Sequence, residues 1–164
     1  MKNVRHRISW GVLLGLCSLP ALAGARLESL YVPGPNLNLQ SRWLVPDARA
    51  TTDPARANLF VAESAFTEML LTIPAEYIGK NVQIFLIMPP QIPGVIEPAG
   101  MEVEWRTQGV FLPGKARPGE RALFFQGVIQ QSPLRDRIAY TFRVDARYNN
   151  GEVRFDPLYE IEQR

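Results

Sequence analysis

The stretch Ile138-Ala139-Tyr140-Thr141-Phe142-Arg143-Val144-Asp145 decides the fold class. Ile138, Tyr140, Phe142 and Val144 are apolar and alternate with Ala139, Thr141, Arg143 and Asp145. A period of two sends one set into a core and the other towards water, which is the pattern of a half-buried strand. The same period recurs upstream, where Met101, Val103 and Trp105 alternate with Glu102, Glu104 and Arg106. Val82 to Met88 (VQIFLIM) is almost continuously apolar, as a central strand is. Ala122 to Ile129 (ALFFQGVI) reads similarly, with Gly127 expected at a bulge or a close approach.

Downstream, Asn150-Gly151 predicts a type I′ hairpin between the 143–148 strand and Val153, because both residues tolerate positive φ. Val153 to Phe155 and Leu158 to Ile161 are read as the last strands. In the N-terminal half, Leu27 to Val32 and Arg42 to Val45 are short strands joined by a turn at Pro33-Gly34-Pro35-Asn36, and Pro46 to Ala57 reads as a loop. Val61 to Ile73 carries two patterns. Ala62, Ala65, Phe66, Met69, Leu70 and Ile73 fall on one helical face, and Asp53-Pro54 offers a helix start. The β-branched Thr67, Thr72 and Ile73, with Pro74 directly after, favour a strand over Thr67–Ile73. Prolines spread from Pro33 to Pro157 leave little room for long helices.

Short strands with frequent turn signals predict an all-β antiparallel fold, immunoglobulin-like in the loose sense, with about seven to nine strands. Trp105 takes the place of a core tryptophan, without the cystine that often accompanies it. Residues 24–164 read as a single β-sandwich domain.

Residues 1–23 read as a secretory signal peptide. Lys2, Arg5 and Arg7 form a basic start, Ile8 to Leu19 an apolar run, and Ala21-Leu22-Ala23 a small-x-small cleavage site. Ala23-Gly24-Ala25 offers a second site, so cleavage is expected after Ala23 or Ala25. The apolar run is shorter than the ~20 residues that span a bilayer. The bulky Leu16 before Cys17 does not fit a lipoprotein signal. The expected location is periplasmic or secreted, in a bacterial envelope.

Removing that segment changes the composition. It holds three of the 18 basic residues, none of the 16 acidic ones, the single His6 and the single Cys17. The remainder has a net charge of −1 and neither His nor Cys. Disulfides, thiol nucleophiles, His-dependent triads and His/Cys zinc sites are thereby excluded from it. The basic balance that would suggest nucleic acid disappears as well.

Motifs that carry chemistry are weak. Gly114 and Gly119 in Pro113 to Glu120 (PGKARPGE) have the first spacing of a phosphate loop, but Glu120 and Arg121 stand where Lys and Ser/Thr are needed. That stretch reads as a tight double turn. Asp145 to Asp156 has the length of a calcium loop, yet Arg147 occupies a ligand position and Asn150 the glycine position. Glu102 and Glu104 share a strand face at about 7 Å, a spacing open to a carboxylate pair. They alternate with core residues, so they read as a solvated face and poor general acids. The chain is expected to be non-enzymatic, with no catalytic residues, cofactor or metal.

Pro89 to Gly100 (PPQIPGVIEPAG) stands out. It joins two clear strands and carries apolar residues between prolines, where polar ones are usual. Ile92, Val95 and Ile96 either dock a partner or fold back to cap the core. Proline lowers the entropy cost of fixing such a loop against a partner. Tyr31, Trp43 and Tyr148 lie outside the clearest core positions and offer stacking faces for sugar rings. Leu27–Val32 offers an edge strand but lacks a clean stripe. The leading expectation is an exported protein that binds another envelope or surface protein, as an assembly accessory. The alternatives are a fimbrial or adhesive structural subunit and a carbohydrate-binding module.

Overall fold

A computed structural model describes residues 24–32, 39–47 and 51–164. The expected signal peptide and the Pro33-Gly34-Pro35-Asn36 turn lie outside the described residues. The described chain forms ten antiparallel strands, against the seven to nine expected, and no helix in it is long and apolar enough to cross a membrane. In chain order they are β1 (Ala25–Val32), β2 (Leu39–Trp43), β3 (Leu59–Ser64), β4 (Thr67–Thr72), β5 (Asn81–Ile87), β6 (Met101–Thr107), β7 (Gly114–Ala116), β8 (Arg121–Val128), β9 (Leu134–Asp145) and β10 (Leu158–Gln163). A four-residue helix, Pro54–Ala57, interrupts the expected 46–57 loop.

The backbone of the sheet is β9, the element built on the opening stretch. Along one edge it pairs β6 from Ile138 to Val144. Along the other it pairs β4 at Leu134–Ile138 and β3 at Thr141–Asp145. From Glu63 to Thr67 the chain advances four residues while β9 advances three, from Thr141 to Ile138. β3 and β4 are therefore one long strand broken by a bulge. The Ser64 hydroxyl fills the break by accepting the Tyr140 N–H at 2.8 Å. The helical pattern over 61–73 thus loses to strand pairing. Its apparent helical face comes from two strands of shifted register.

β1 links two parts of the sheet. Ala25–Leu27 pair β10, and Glu28–Val32 pair β4. β10 continues to β5, and β5 to β8. A one-residue bulge on β8 falls at Phe124, not at Gly127, because Ile84 faces Phe125 while Phe85 faces Leu123. It turns both Phe124 and Phe125 inward. Leu112 N–H donates to Phe124 O at 2.7 Å and joins β8 to the chain between β6 and β7.

The inward residues of β6 and β9 meet those of β5, β8 and β10. Phe124 stacks on Phe111 (4.4 Å between centroids) and packs against Tyr159 (5.1 Å) and Trp105 (6.1 Å). Trp105 is buried on its alternating strand, as expected.

The predicted 150–151 hairpin does not form. β9 ends at Asp145, β10 pairs β1 and β5 rather than β9, and Asn150 lacks the positive φ that a type I′ turn demands. Residues 149–157, including Val153 to Phe155, are not a strand; they cross the sheet face as an extended cover.

Candidate functional site

Directly paired residues in an antiparallel sheet lie on the same face. Trp43, Phe60, Val144 and Met101 therefore form one row across β2, β3, β9 and β6, and Ser41, Ala62, Phe142 and Val103 form the next. The β6 end of these rows is buried. At the β2–β3 end, among the described residues, the 149–155 segment covers the face, anchored through Phe155. Its ring packs on Phe142 and Tyr140, each at 5.1 Å.

Between segment and sheet lies a groove of about 690 Å³. Its walls are Leu39, Phe60, Ala62, Phe142, Val144, Val153 and Phe155, and Asn149, Gly151, Glu152 and Arg154 complete the lining. Arg154 and Glu152 form one long ion pair at 3.6 Å, with both side chains mostly in water. On the same face, Leu39 and Trp43 are about half exposed, and Trp43 meets Phe60 edge to face at 5.7 Å. The groove is apolar in depth and polar at the exposed segment.

No family model, curated protein or solved structure matches the chain.

The 149–155 segment is held by the proline-rich loop. Ile96 N–H donates to Tyr148 O at 2.8 Å, Asn150 N–H to Gly94 O at 3.1 Å, and Arg154 N–H to Pro93 O at 3.2 Å. Val95 and Asn149 form an isolated bridge. Gly94 is required here twice over: its φ is +86°, and a Cβ would lie 2.4 Å from Glu152 O. Gly94→Ala is expected to cost about 2–3 kcal/mol. It should speed amide exchange at Asn150 and Arg154 while leaving β5 and β10 protected.

The other anchor is Asp145. Its carboxylate accepts the Arg147 N–H at 3.0 Å, capping a short 3-10 turn, and binds the Arg147 guanidinium at 2.5 Å. That bond holds the Asp145 carboxyl below the usual carboxylate range. A lowered folded-state pKa gives stability that is present above the unfolded pKa and lost as pH falls through the folded one. Asp145→Asn keeps a capping oxygen but loses the ion pair with Arg147, and is expected to lose about 0.5 kcal/mol at pH 7. In urea melts run at falling pH, its deficit should vanish on the acid side of the ordinary carboxylate range.

The loop residues singled out from the sequence separate. Ile92 is buried and joins the core, so it caps rather than docks. Val95 is half-buried, and Ile96 alone faces water. The three stacking candidates also separate. The Tyr31 hydroxyl lies 2.9 Å from that of Tyr140 and 3.1 Å from that of Tyr159, in a cluster of three phenols. Burial pushes the Tyr140 and Tyr159 hydroxyls well above the ordinary phenol range, and that of Tyr31 upward as well. Tyr148 is half-buried against Gly100, where a Cβ would lie 2.5 Å from its own. Trp43 alone of the three presents a broad face beside the groove.

Glu102 and Glu104 are bridged by Arg143 at 3.3 Å and 2.8 Å, and Glu102 also takes Arg117 at 3.4 Å. The face is ion-paired rather than simply solvated.

Sequence reasoning missed Leu39, Phe60 and Phe155. The alternation Phe60, Ala62 was a usable signal for one wall. Nothing local showed that Val153 to Phe155 would lie across a sheet instead of pairing into it.

Proposed function

We propose that the chain is an exported, non-enzymatic, immunoglobulin-like β-sandwich that holds a segment of another envelope or surface protein in the groove under residues 149–155. The observation that carries this reading is the apolar groove itself. Its volume falls within the range of about 300–1,000 Å³ typical of binding pockets, and its walls are mainly aliphatic and aromatic. Trp43 beside it is the residue type most enriched where binding energy concentrates. The proline-rich loop supports the segment from behind, which keeps the groove open without a partner and lowers the ordering cost of binding. An assembly accessory that presents such a preformed site needs no nucleophile or cofactor. Beyond residue 23 the sequence has neither His nor Cys.

The test is capture from the envelope fraction of the source cells, with the tagged full-length chain expressed in its own compartment. Val153→Ser changes a groove wall and Ile96→Ser changes the exposed tip of the loop. A protein recovered by the wild type, reduced at least about tenfold by Val153→Ser and retained by Ile96→Ser, is expected; tenfold corresponds to about 1.4 kcal/mol. Equal capture by all three chains, or none by any, would overturn the groove as the site. Far-UV spectra and urea midpoints show that each variant is folded.

A further inference from the structure

The outermost strand, β2, pairs only β3, and all five of its residues are exposed. Leu44 N–H donates to Leu59 O at 2.8 Å, in register with the β2–β3 ladder. Backbone groups of an antiparallel strand alternate in direction. Gln40 and Arg42 therefore turn theirs towards β3, while Leu39, Ser41 and Trp43 turn theirs outward. Among the described residues no strand takes that edge. Within Leu39–Trp43 it has no bulge, no proline and no inward charge; of the devices that protect an edge it has only its five-residue length and the single charge of Arg42.

We infer that the β2 edge pairs with the β2 edge of a second copy, in an antiparallel register centred on Ser41, and joins the two sheets into one. The sequence Leu39-Gln40-Ser41-Arg42-Trp43 is close to a palindrome in chemistry. In this register Ser41 faces Ser41 of the partner subunit, and Leu39 faces Trp43 of the partner subunit, twice over. All of these are hydrogen-bonded pairs, so every outward N–H and C=O of the three residues finds a partner. A slip of one residue would set outward groups against inward ones. A slip of two would leave an apolar residue unpaired.

The charges fit the same register. Arg42 faces Gln40 of the partner subunit, beyond which lies Glu63 of the partner subunit, because Gln40 and Glu63 are paired in each copy. Within one copy Arg42 and Glu63 make a loose contact at 3.5 Å, with side chains 64% and 46% exposed. Both are available to cross the seam; no like charges are directly paired, and the two copies of Arg42, diagonal neighbours on one face, are each balanced by a Glu63. The contact uses the same patch on both copies, so it closes as a two-fold dimer and does not grow into a fibre. This goes beyond the partner-binding proposal, since it concerns only copies of this chain; the groove face of each copy stays on the same side of the joined sheet.

The test uses the full sequence with Cys17→Ser, purified from the envelope, so that any thiol is an introduced one. The purified chain is expected to have twice the chain mass. Ser41→Cys should form a disulfide-linked dimer under mild oxidation, because a hydrogen-bonded pair places its Cα atoms about 5.5 Å apart, within disulfide reach. Arg42→Cys should not, since the two copies of that position are offset by two residues along the seam, which with the strand spacing puts their Cα atoms about 8 Å apart, beyond disulfide reach. Ser41→Pro removes one outward N–H and no bond to β3; it is expected to give the monomer mass with an unchanged far-UV spectrum. A wild-type chain of monomer mass, or equal cross-linking at positions 41 and 42, would overturn the inference.

Discussion

Trp105→Ala is expected to cost the fold about 3–5 kcal/mol, as large-to-small changes of a buried aromatic do. Trp105 is 1% exposed and stands between β9 and β7 on the inward face of β6. Its ring packs on Phe124, and its Nε1–H donates to Leu112 O at 2.9 Å. Gly114 lies so close that a Cβ there would sit 2.7 Å from the indole. Removing the ring therefore opens a cavity that a glycine neighbour does little to fill. It also removes a donor from the carbonyl that precedes Pro113. A typical domain is stable by about 5–15 kcal/mol, so the variant should lose a large part of its margin. In urea melts its midpoint should fall steeply at nearly unchanged slope, since the surface exposed on unfolding is nearly the same. Trp105→Phe keeps most of the volume and should recover more than half of the loss.

Asp136→Ala is expected to cost about 3 kcal/mol, by leaving buried donors unpaired. Asp136 is buried at the inward position of β9 next to Ile138. Its carboxylate accepts Phe111 N–H at 2.8 Å, Gln108 N–H at 3.3 Å and Arg137 N–H at 2.6 Å. It thereby folds the chain after β6 back so that Phe111 can stack on Phe124. Gly109 makes the approach possible, because a Cβ there would lie 2.8 Å from Asp136 Oδ1. Alanine leaves the Phe111 N–H without an acceptor and loosens the whole turn. Amide exchange at Phe111 should accelerate more than at Tyr159, which sits in the same core on a different strand. Asp136→Asn retains one acceptor oxygen and should lie between wild type and Asp136→Ala.

These two residues show how unevenly the sequence discloses the molecule. Trp105 is legible because alternation along β6 is a local pattern, and the same pattern reveals β9, β5 and most of β8. Asp136 interrupts such a pattern. A carboxylate at an inward strand position is explained only by the distant turn that it caps, and no local spacing reports a turn some 25 residues upstream. The β3–β4 bulge hides in the same way. A register shift of one residue makes two strands imitate a helix over 61–73, and only the partner strand resolves it. Asn150-Gly151 misled for the opposite reason. Its local turn propensity is strong, but β10 finds better partners in β1 and β5, and the intervening chain becomes the groove's cover.

The site was legible in part. The apolar, proline-rich character of Pro89 to Gly100 marked a stretch with a special task. The structure divides that task. Ile92 closes the core, and the backbone of 93–96 braces the segment that forms the groove. The groove itself needs residues from β2, β3, β9 and the 149–155 segment, which come together only in three dimensions. Trp43 was singled out with Tyr31 and Tyr148 as lying outside the clearest core positions and offering a stacking face for sugar rings, and it is the one of the three placed beside the groove.

The central claim, that this groove holds a segment of another envelope protein, is tested most directly by photo-cross-linking in intact cells. A photoreactive residue replaces Arg154, whose side chain lines the groove and is 73% exposed. A control replaces Lys80, which is exposed and not part of the groove. The account predicts one discrete adduct with a different envelope protein from position 154 and none from position 80. No adduct from position 154, or the same adducts from both positions, would contradict it.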